Sequence, residues 1–264
     1  MTTPCPMNRV SVMTLNLRFG LAEDGDDSWK FRKPRIADLF ARYRPDLIGF
    51  QEVNDFQIDD LRRILPEYGF IGKRRPAPDF WQHNVIFFRS PFRCSFSDHF
   101  FLSPLPDLPS RFAESRWPRQ CTIGLFTTGR HRLLAADTHL DFAEAVQTRS
   151  AELILDRLAG FPAEIPTLLM GDFNSLPDSA CHRIFTGKDR REHRAGPFFK
   201  PVFSAPYPGT HHRFTGESDG GHIDWILYRG ELKPENREVC RHQLNGGYPS
   251  DHFPICADFS FITG

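Results

Sequence analysis

Short apolar runs that end in one or two polar residues recur along this chain of 264 residues. Val10 to Leu17 alternates, with Val10 and Val12 on one side and Met13, Leu15 and Leu17 on the other, which predicts a strand buried on both faces. Asn16 stands near its end, and an acidic loop, Gly20 to Asp27, follows. Pro34 is expected to open a helix, because proline is tolerated in a first turn, and Ile36, Leu39, Phe40 and Tyr43 then keep helical spacing up to Pro45. Asp46 to Val53 predicts a second buried strand, terminating in Gln51-Glu52.

Asp55 to Leu65 returns to helical spacing. Tyr68 to Gly72, Asn84 to Arg89 and Arg93 to Phe101 predict strands of a meander, and Cys121 to Thr127 with Arg132 to His139 predict a hairpin across Thr128-Gly129-Arg130. Phe142 to Leu158 is the longest predicted helix, with Gly160 as its cap. A strand at Thr167 to Gly171 precedes a short helix, Asp178 to Phe185. Further strands are expected at His222 to Tyr228, Arg237 to Gln243 and Phe253 to Phe261. Lys73 to His83, Ser103 to Arg119 and the segment from the basic run Lys188–Arg194 to Tyr207 are expected to be loops. Hairpins alternating with widely spaced helices do not fit a doubly wound sheet. They fit an α/β fold of two packed, mainly antiparallel sheets with helices on the outer faces.

Composition narrows the function classes. A 40% hydrophobic fraction with 26 phenylalanines is ample for a large core, and no repeat or compositional break divides the chain, so one domain over residues 1–264 is expected. The 33 basic residues equal the 33 acidic ones, which argues against tracking long nucleic acid by bulk electrostatics. No stretch has the length of a membrane span, and Met1 to Val10 lacks the apolar centre of a signal peptide. Six scattered cysteines without paired spacing read as reduced thiols. A cytoplasmic monomer is the expectation.

The polar strand ends carry the chemistry: Asn16, Glu52, His139, Asp172 with Asn174, Asp224, and Asp251-His252. If they converge, the carboxylates repel one another unless a cation or proton intervenes. Hard oxygen donors suit Mg²⁺, with Mn²⁺ as a substitute, rather than Zn²⁺, and no Cys/His zinc spacing exists. Histidines and carboxamides beside such a cation suit a phosphate group.

Thr14-Leu15-Asn16-Leu17-Arg18, Gly49-Phe50-Gln51-Glu52, Thr138-His139-Leu140, Gly171-Asp172-Phe173-Asn174, His222-Ile223-Asp224-Trp225 and Ser250-Asp251-His252 occur in this order, and in it the chain resembles the endonuclease/exonuclease/phosphatase superfamily from about residue 9 to 261. The resemblance implies a four-layered α/β sandwich, a metal at the rim of both sheets, and hydrolysis of a phosphodiester or phosphomonoester. It implies Glu52 as principal metal ligand, Asn16 on the metal or its bound phosphate oxygen, and Asp251 on the metal directly or through water. Asp172 would orient or deprotonate the attacking water, and Asn174 would bind phosphate. His139 would bind phosphate or assist the leaving oxygen, and His252 would act with Asp224 as its partner. Lack of long basic insertions suggests a compact, bacterial-type member acting on a small molecule or single-stranded nucleic acid.

Each motif alone has a plainer reading as a turn, a cap or a solvated strand end. Six in family order do not. Substrate contacts are expected from Asn84 at the start of its strand and from Trp117 and Arg119, an aromatic beside an arginine. They are expected too from His212 in Thr210 to Gly216, which resembles a loop near the site in bacterial members. The alternative function is a member that has lost catalysis and serves as a binding or scaffold module, but Glu52, Asp172 and His252 are all present.

Overall fold

The computed structural model describes residues 8–74, 77–188, 198–218 and 221–262. In chain order these form β1 (Arg9–Asn16), α1 (Trp29–Arg42), β2 (Leu47–Val53), α2 (Asp55–Ile64), β3 (Tyr68–Ile71), β4 (His83–Arg89), β5 (Arg93–Phe101) and β6 (Gln120–Thr128). There follow β7 (His131–His139), α3 (Glu144–Ala159), β8 (Thr167–Asp172), α4 (Ala180–Thr186), β9 (Lys200–Pro201), β10 (Asp224–Arg229), β11 (Leu232–Val239) and β12 (Ile255–Phe261).

The strands make two six-stranded sheets, ordered β11-β12-β1-β2-β4-β3 and β5-β6-β7-β8-β10-β9. Each has one parallel pair at its centre, β1 with β2 and β7 with β8, flanked by antiparallel strands. Each parallel pair is bridged by a helix, α1 or α3, as a parallel crossover requires. The fold is therefore the mainly antiparallel α/β sandwich expected.

Alternation along the strands assigns the layers. Val10 and Val12 join Leu47, Ile86, Ala135, Leu168, Met170 and Ile226 in a cluster between the sheets. The opposite parity, Met13, Leu15 and Ile48, packs with Ile36, Leu39, Ile58 and Leu61 of α1 and α2. Leu134, Ala136 and Leu169 likewise meet Ile154, Leu158, Ile184 and Phe185 of α3 and α4. Four layers result: helices, sheet, sheet, helices.

The inter-sheet face changes character along the strands. Its middle is apolar, and one rung nearer the ends of β1, β2 and β7 it holds Thr14, Gly49 and Asp137. At the rim it presents Asn16, Gln51, His139 and Asp172, with Asp224 opposite Asp172 in the β8–β10 ladder. Thus the sequence parity that buries Val12 and Leu168 also lines up the polar strand ends of both sheets.

Three expectations need correction. α1 begins at Trp29, not at Pro34, which is the sixth residue of the helix and lies on its exposed face. The first turn is held by tertiary contacts that outweigh the proline: Trp29 Nε1 donates to Asp60 Oδ2 at 2.9 Å, and the fully buried Arg32 binds four backbone carbonyls. The strand expected at Arg237 to Gln243 runs instead from Leu232 to Val239. It is a sheet edge, largely exposed and bulged between Pro234 and Asn236, so its apolar alternation is weak. β9, in a segment expected to be loop, is a two-residue edge. Apart from Lys188, the basic run Lys188–Arg194 lies outside the described residues. No helix among the described residues is long and apolar enough to cross a membrane.

Candidate active site

Glycine geometry sets the end of β8. Gly171 has φ +143°, and a Cβ there would fall 1.9 Å from the Thr138 carbonyl oxygen, so only glycine lets β8 approach β7 at this rung. Asp172 follows, 1% exposed. Its Oδ2 accepts from Asn16 Nδ2 at 3.0 Å and lies 3.4 Å from His139 Nε2 and 3.9 Å from His252 Nε2. Its Oδ1 accepts from the Asn174 backbone at 2.8 Å. Burial, with the charge of Asp224 added, raises the Asp172 pKa to about 7.

Glu52 reaches this cluster through a backbone irregularity. Gln51 faces the inter-sheet layer, so strict alternation would turn Glu52 towards the helices. The β2–β4 ladder instead shifts register between Phe50 and Val53, and Glu52 adopts φ +63°. The bulge re-aims the side chain to the rim. There Oε1 accepts from Asn16 Nδ2 at 3.2 Å and Oε2 from the Phe19 backbone at 2.7 Å.

The two imidazoles are held in opposite states. His252 Nδ1 donates to Asp224 Oδ2 at 2.9 Å. Burial opposes charge on His252, but Asp224, Asp172 and Asp251 outweigh it and push the pKa well above the usual histidine value. His139 is driven well below that value by burial, and next by the Arg119 guanidinium. Asn174 Nδ2 donates to the Leu140 carbonyl at 3.0 Å, which fixes the amide so that its nitrogen also meets His139 Nε2, at 2.9 Å. That ring nitrogen accordingly accepts. Arg119 Nη1 lies 3.1 Å from both ring nitrogens.

Eight of the expected residues, Asn16, Glu52, His139, Asp172, Asn174, Asp224, Asp251 and His252, thus gather at one rim. The sequence pattern of the Endonuclease/Exonuclease/phosphatase family matches residues 13–252. The chain belongs to this family. Nocturnin of Rattus norvegicus is 25% identical over 261 aligned residues, covering 88% of this chain and 59% of that protein, so the chain spans about three-fifths of its length. A family protein of known structure from Bacteroides thetaiotaomicron superposes with a TM-score of 0.85 at 25% identity, covering 97% of this chain and 98% of its own. A mannosyl-6-phosphatase of the same species gives 0.84 at 25%, covering 96% and 100%.

The donor set fits the divalent cation on which the family depends. Asp172, Asp224 and His252 bring ligand atoms within 4.8 Å of one another, and so do His211, Asp251 and His252. Asp224 Oδ1 is buried without a hydrogen-bond partner. Neither set holds a cysteine, and with Glu52 alongside them carboxylates outnumber imidazoles, which favours a hard ion.

Four expected contacts divide. Arg119 touches His139, and Trp117, 53% exposed, lines the adjoining cleft with Glu52. Asn84 turns away from the cleft: it is 3% exposed and its Nδ2 donates inward to Asp137 Oδ2 at 3.2 Å. Asp137 also meets Gln51 Nε2 at 2.5 Å, and burial raises its pKa well above the ordinary carboxyl range. His212 does not face the site either. It stacks on Phe253 with centroids 3.8 Å apart, and its Nδ1 accepts from the Gly216 backbone. Its neighbour His211 is the residue that faces His252, 4.7 Å away, across an antiparallel bridge. The sequence reading missed His211 because adjacent residues of an extended segment point oppositely, and only the pairing partner decides which faces in. It also gave Arg18 no role; Arg18 Nη1 stands 3.6 Å from Asp251 Oδ2.

Proposed function

We propose that this chain is a Mg²⁺-dependent phosphohydrolase, with Mn²⁺ as a working substitute, that cleaves a phosphodiester or phosphomonoester by in-line attack of water. The observation that carries the reading is the single cluster in which Asp172 faces His139 and His252 while Asp224 holds the far side of His252. Glu52, Asn16 and Asp251 are the residues to hold the cation. When bound, it supplies positive charge that offsets the crowded carboxylates and polarises the ester's phosphoryl oxygen.

Asp172, whose pKa of about 7 suits a general base at neutral pH, orients and deprotonates the attacking water. His252, kept protonated by Asp224, donates to a phosphoryl or leaving oxygen. His139 is neutral, so with Asn174 it serves to position the phosphate rather than to act as a strong acid. Most of the acceleration comes from positioning and electrostatic stabilisation. The scaffold reading finds no support in this geometry, since every polar strand end it would need to lose is in place. We read the protein as one domain acting as a monomer, and as cytoplasmic, since Cys94, Cys121, Cys181, Cys240 and Cys256 are free thiols.

The test is turnover with Mg²⁺ or Mn²⁺ against chelator, over single-stranded DNA and RNA, nucleotides, sugar phosphates and aryl phosphodiesters. Metal-dependent release is expected, and Glu52→Ala and His252→Ala should lose it by a factor of about 10² or more while keeping the wild-type circular dichroism. Near-wild-type turnover of His252→Ala refutes the mechanism. No release from any substrate favours the binding-module reading.

A further inference from the structure

Beside Glu52 the rim opens into a cleft of about 610 Å³, the size range of small-molecule sites. Its walls carry three aromatic side chains left open to solvent: Phe80 at 60%, Trp117 at 53% and Phe142 at 74% exposure. Large apolar side chains gathered in this way mark a binding surface rather than a failure of packing. Arginines accompany them. The Arg116 guanidinium lies 5.3 Å from the Trp117 ring centre, and that of Arg119 lies 5.6 Å from Phe142. Arg18 lines the cleft as well, but Asp24 at 2.8 Å and Asp251 at 3.6 Å offset its charge, and Asp141 lies 3.9 Å from Arg119.

We propose that this cleft holds the group esterified to the reacting phosphate, and that it takes a planar aromatic ring. The substrate is then a nucleoside phosphate in preference to a sugar phosphate. This rests on the phosphohydrolase reading of the rim. The lining argues for it in two ways. Open aromatic faces and guanidinium planes bind rings by stacking, and the Arg116 guanidinium beside Trp117 also offers donors to a phosphate oxygen. A sugar needs many hydrogen-bonding partners, whereas here Gln82 is the one side-chain amide on the wall. The continuity is direct: Arg119 reaches from the cleft to His139, so a ring in the cleft leaves its phosphate at Asp172 and His252.

The experiment compares kcat/KM for AMP and for glucose 6-phosphate with Mg²⁺ present, in wild type, Trp117→Ala, Phe142→Ala and Trp117→Phe. AMP is expected to be preferred at least tenfold. The preference should shrink by roughly 10- to 100-fold in the alanine variants and return in part in Trp117→Phe. A single-stranded oligonucleotide run alongside shows whether the ring belongs to a free nucleotide or to a chain end; preference for either over the sugar phosphate supports the subsite. Equal use of AMP and glucose 6-phosphate, unmoved by the variants, overturns it. If no ester turns over, the reaction-centre reading fails separately. Calorimetric titration of AMP into chelator-treated protein then decides the cleft: binding weakened tenfold or more by Trp117→Ala sustains it, and no binding, or binding the variant leaves intact, overturns it.

Discussion

Arg32 is the residue whose removal should connect stability with activity most plainly. It is fully buried in α1, and its guanidinium donates only to backbone carbonyls: Asp27 at 2.6 Å, Leu17 at 2.7 Å, Pro249 at 3.1 Å and Arg18 at 3.3 Å. Leu17 and Arg18 follow Asn16, and Pro249 precedes Ser250-Asp251-His252. One side chain therefore ties the end of β1 to the closing motif. Burial works against its charge and lowers its pKa to about 10, which corresponds to roughly 3 kcal/mol. Hydrogen bonds from a charged donor contribute about 1.5–3 kcal/mol each, and buried carbonyls left unpaired cost about 1–3 kcal/mol each. The bonds outweigh the burial cost. Arg32→Ala should lose about 3–5 kcal/mol, near the upper end for single substitutions. In urea this is a fall in midpoint of about 1–2.5 M, for a slope of about 2–3 kcal/mol/M. Arg32→Met keeps the apolar stem and should recover part of the packing but not the carbonyl partners. Both variants should lose turnover even under conditions where they stay folded, because Asn16 and His252 lose their common anchor. An unfolding free energy within about 1 kcal/mol of wild type, with unchanged kcat, would falsify the clamp.

Two further outcomes follow from the site. Because the folded Asp172 pKa of about 7 lies above the ordinary 3.8, the folded protein keeps that proton across this window. The group's stabilising contribution is complete below the window and is lost as pH rises through 7. Asp172→Asn should therefore abolish turnover yet gain thermal stability over wild type in chelator as pH goes from 5 to 8, read by scanning calorimetry; a pH-independent difference refutes this. Gly171→Ala forces a Cβ against the Thr138 carbonyl at positive φ and should lower the unfolding midpoint by the equivalent of about 3 kcal/mol or more, and wild-type stability in that variant would sink the close-approach argument.

What the sequence made legible was set by period-two alternation. Val10, Val12, Met13 and Leu15 fall in the layers their parity assigns, and the polar residues that close those runs meet at one rim because both sheets share the inter-sheet face. Where alternation breaks, reading fails. The reach of Glu52 depends on a bulge that no local pattern announces, and His211 and His212 exchange roles according to a bridge to His252 formed across forty residues of chain. Asn84 has the right parity for the inter-sheet face and stands level with Gln51, but its amide turns inward to the buried Asp137 carboxyl, a choice of partner that parity does not show. Pro34 misled because helix-start rules weigh only local costs, and Arg32 and Trp29 add long-range ones. The cleft aromatics sit on loops, where no periodicity shows which side chains stay uncovered.

The strand order β11-β12-β1-β2-β4-β3 has a consequence for how the protein is made. All six strands of the other sheet and most of the chain separate β1 from its antiparallel neighbour β12, whereas β5 to β10 complete their own sheet within one continuous stretch. During synthesis β1 must wait, its outer edge unpaired and its apolar faces waiting with it, until the ribosome has released Ile255–Phe261. Long-range pairings of this kind form slowly, and an open apolar edge recruits other chains. His252 lies only three residues before β12. The last segment to dock is thus the one that completes the reaction centre, so a partly made chain carries the hazard of an open edge but none of the chemistry.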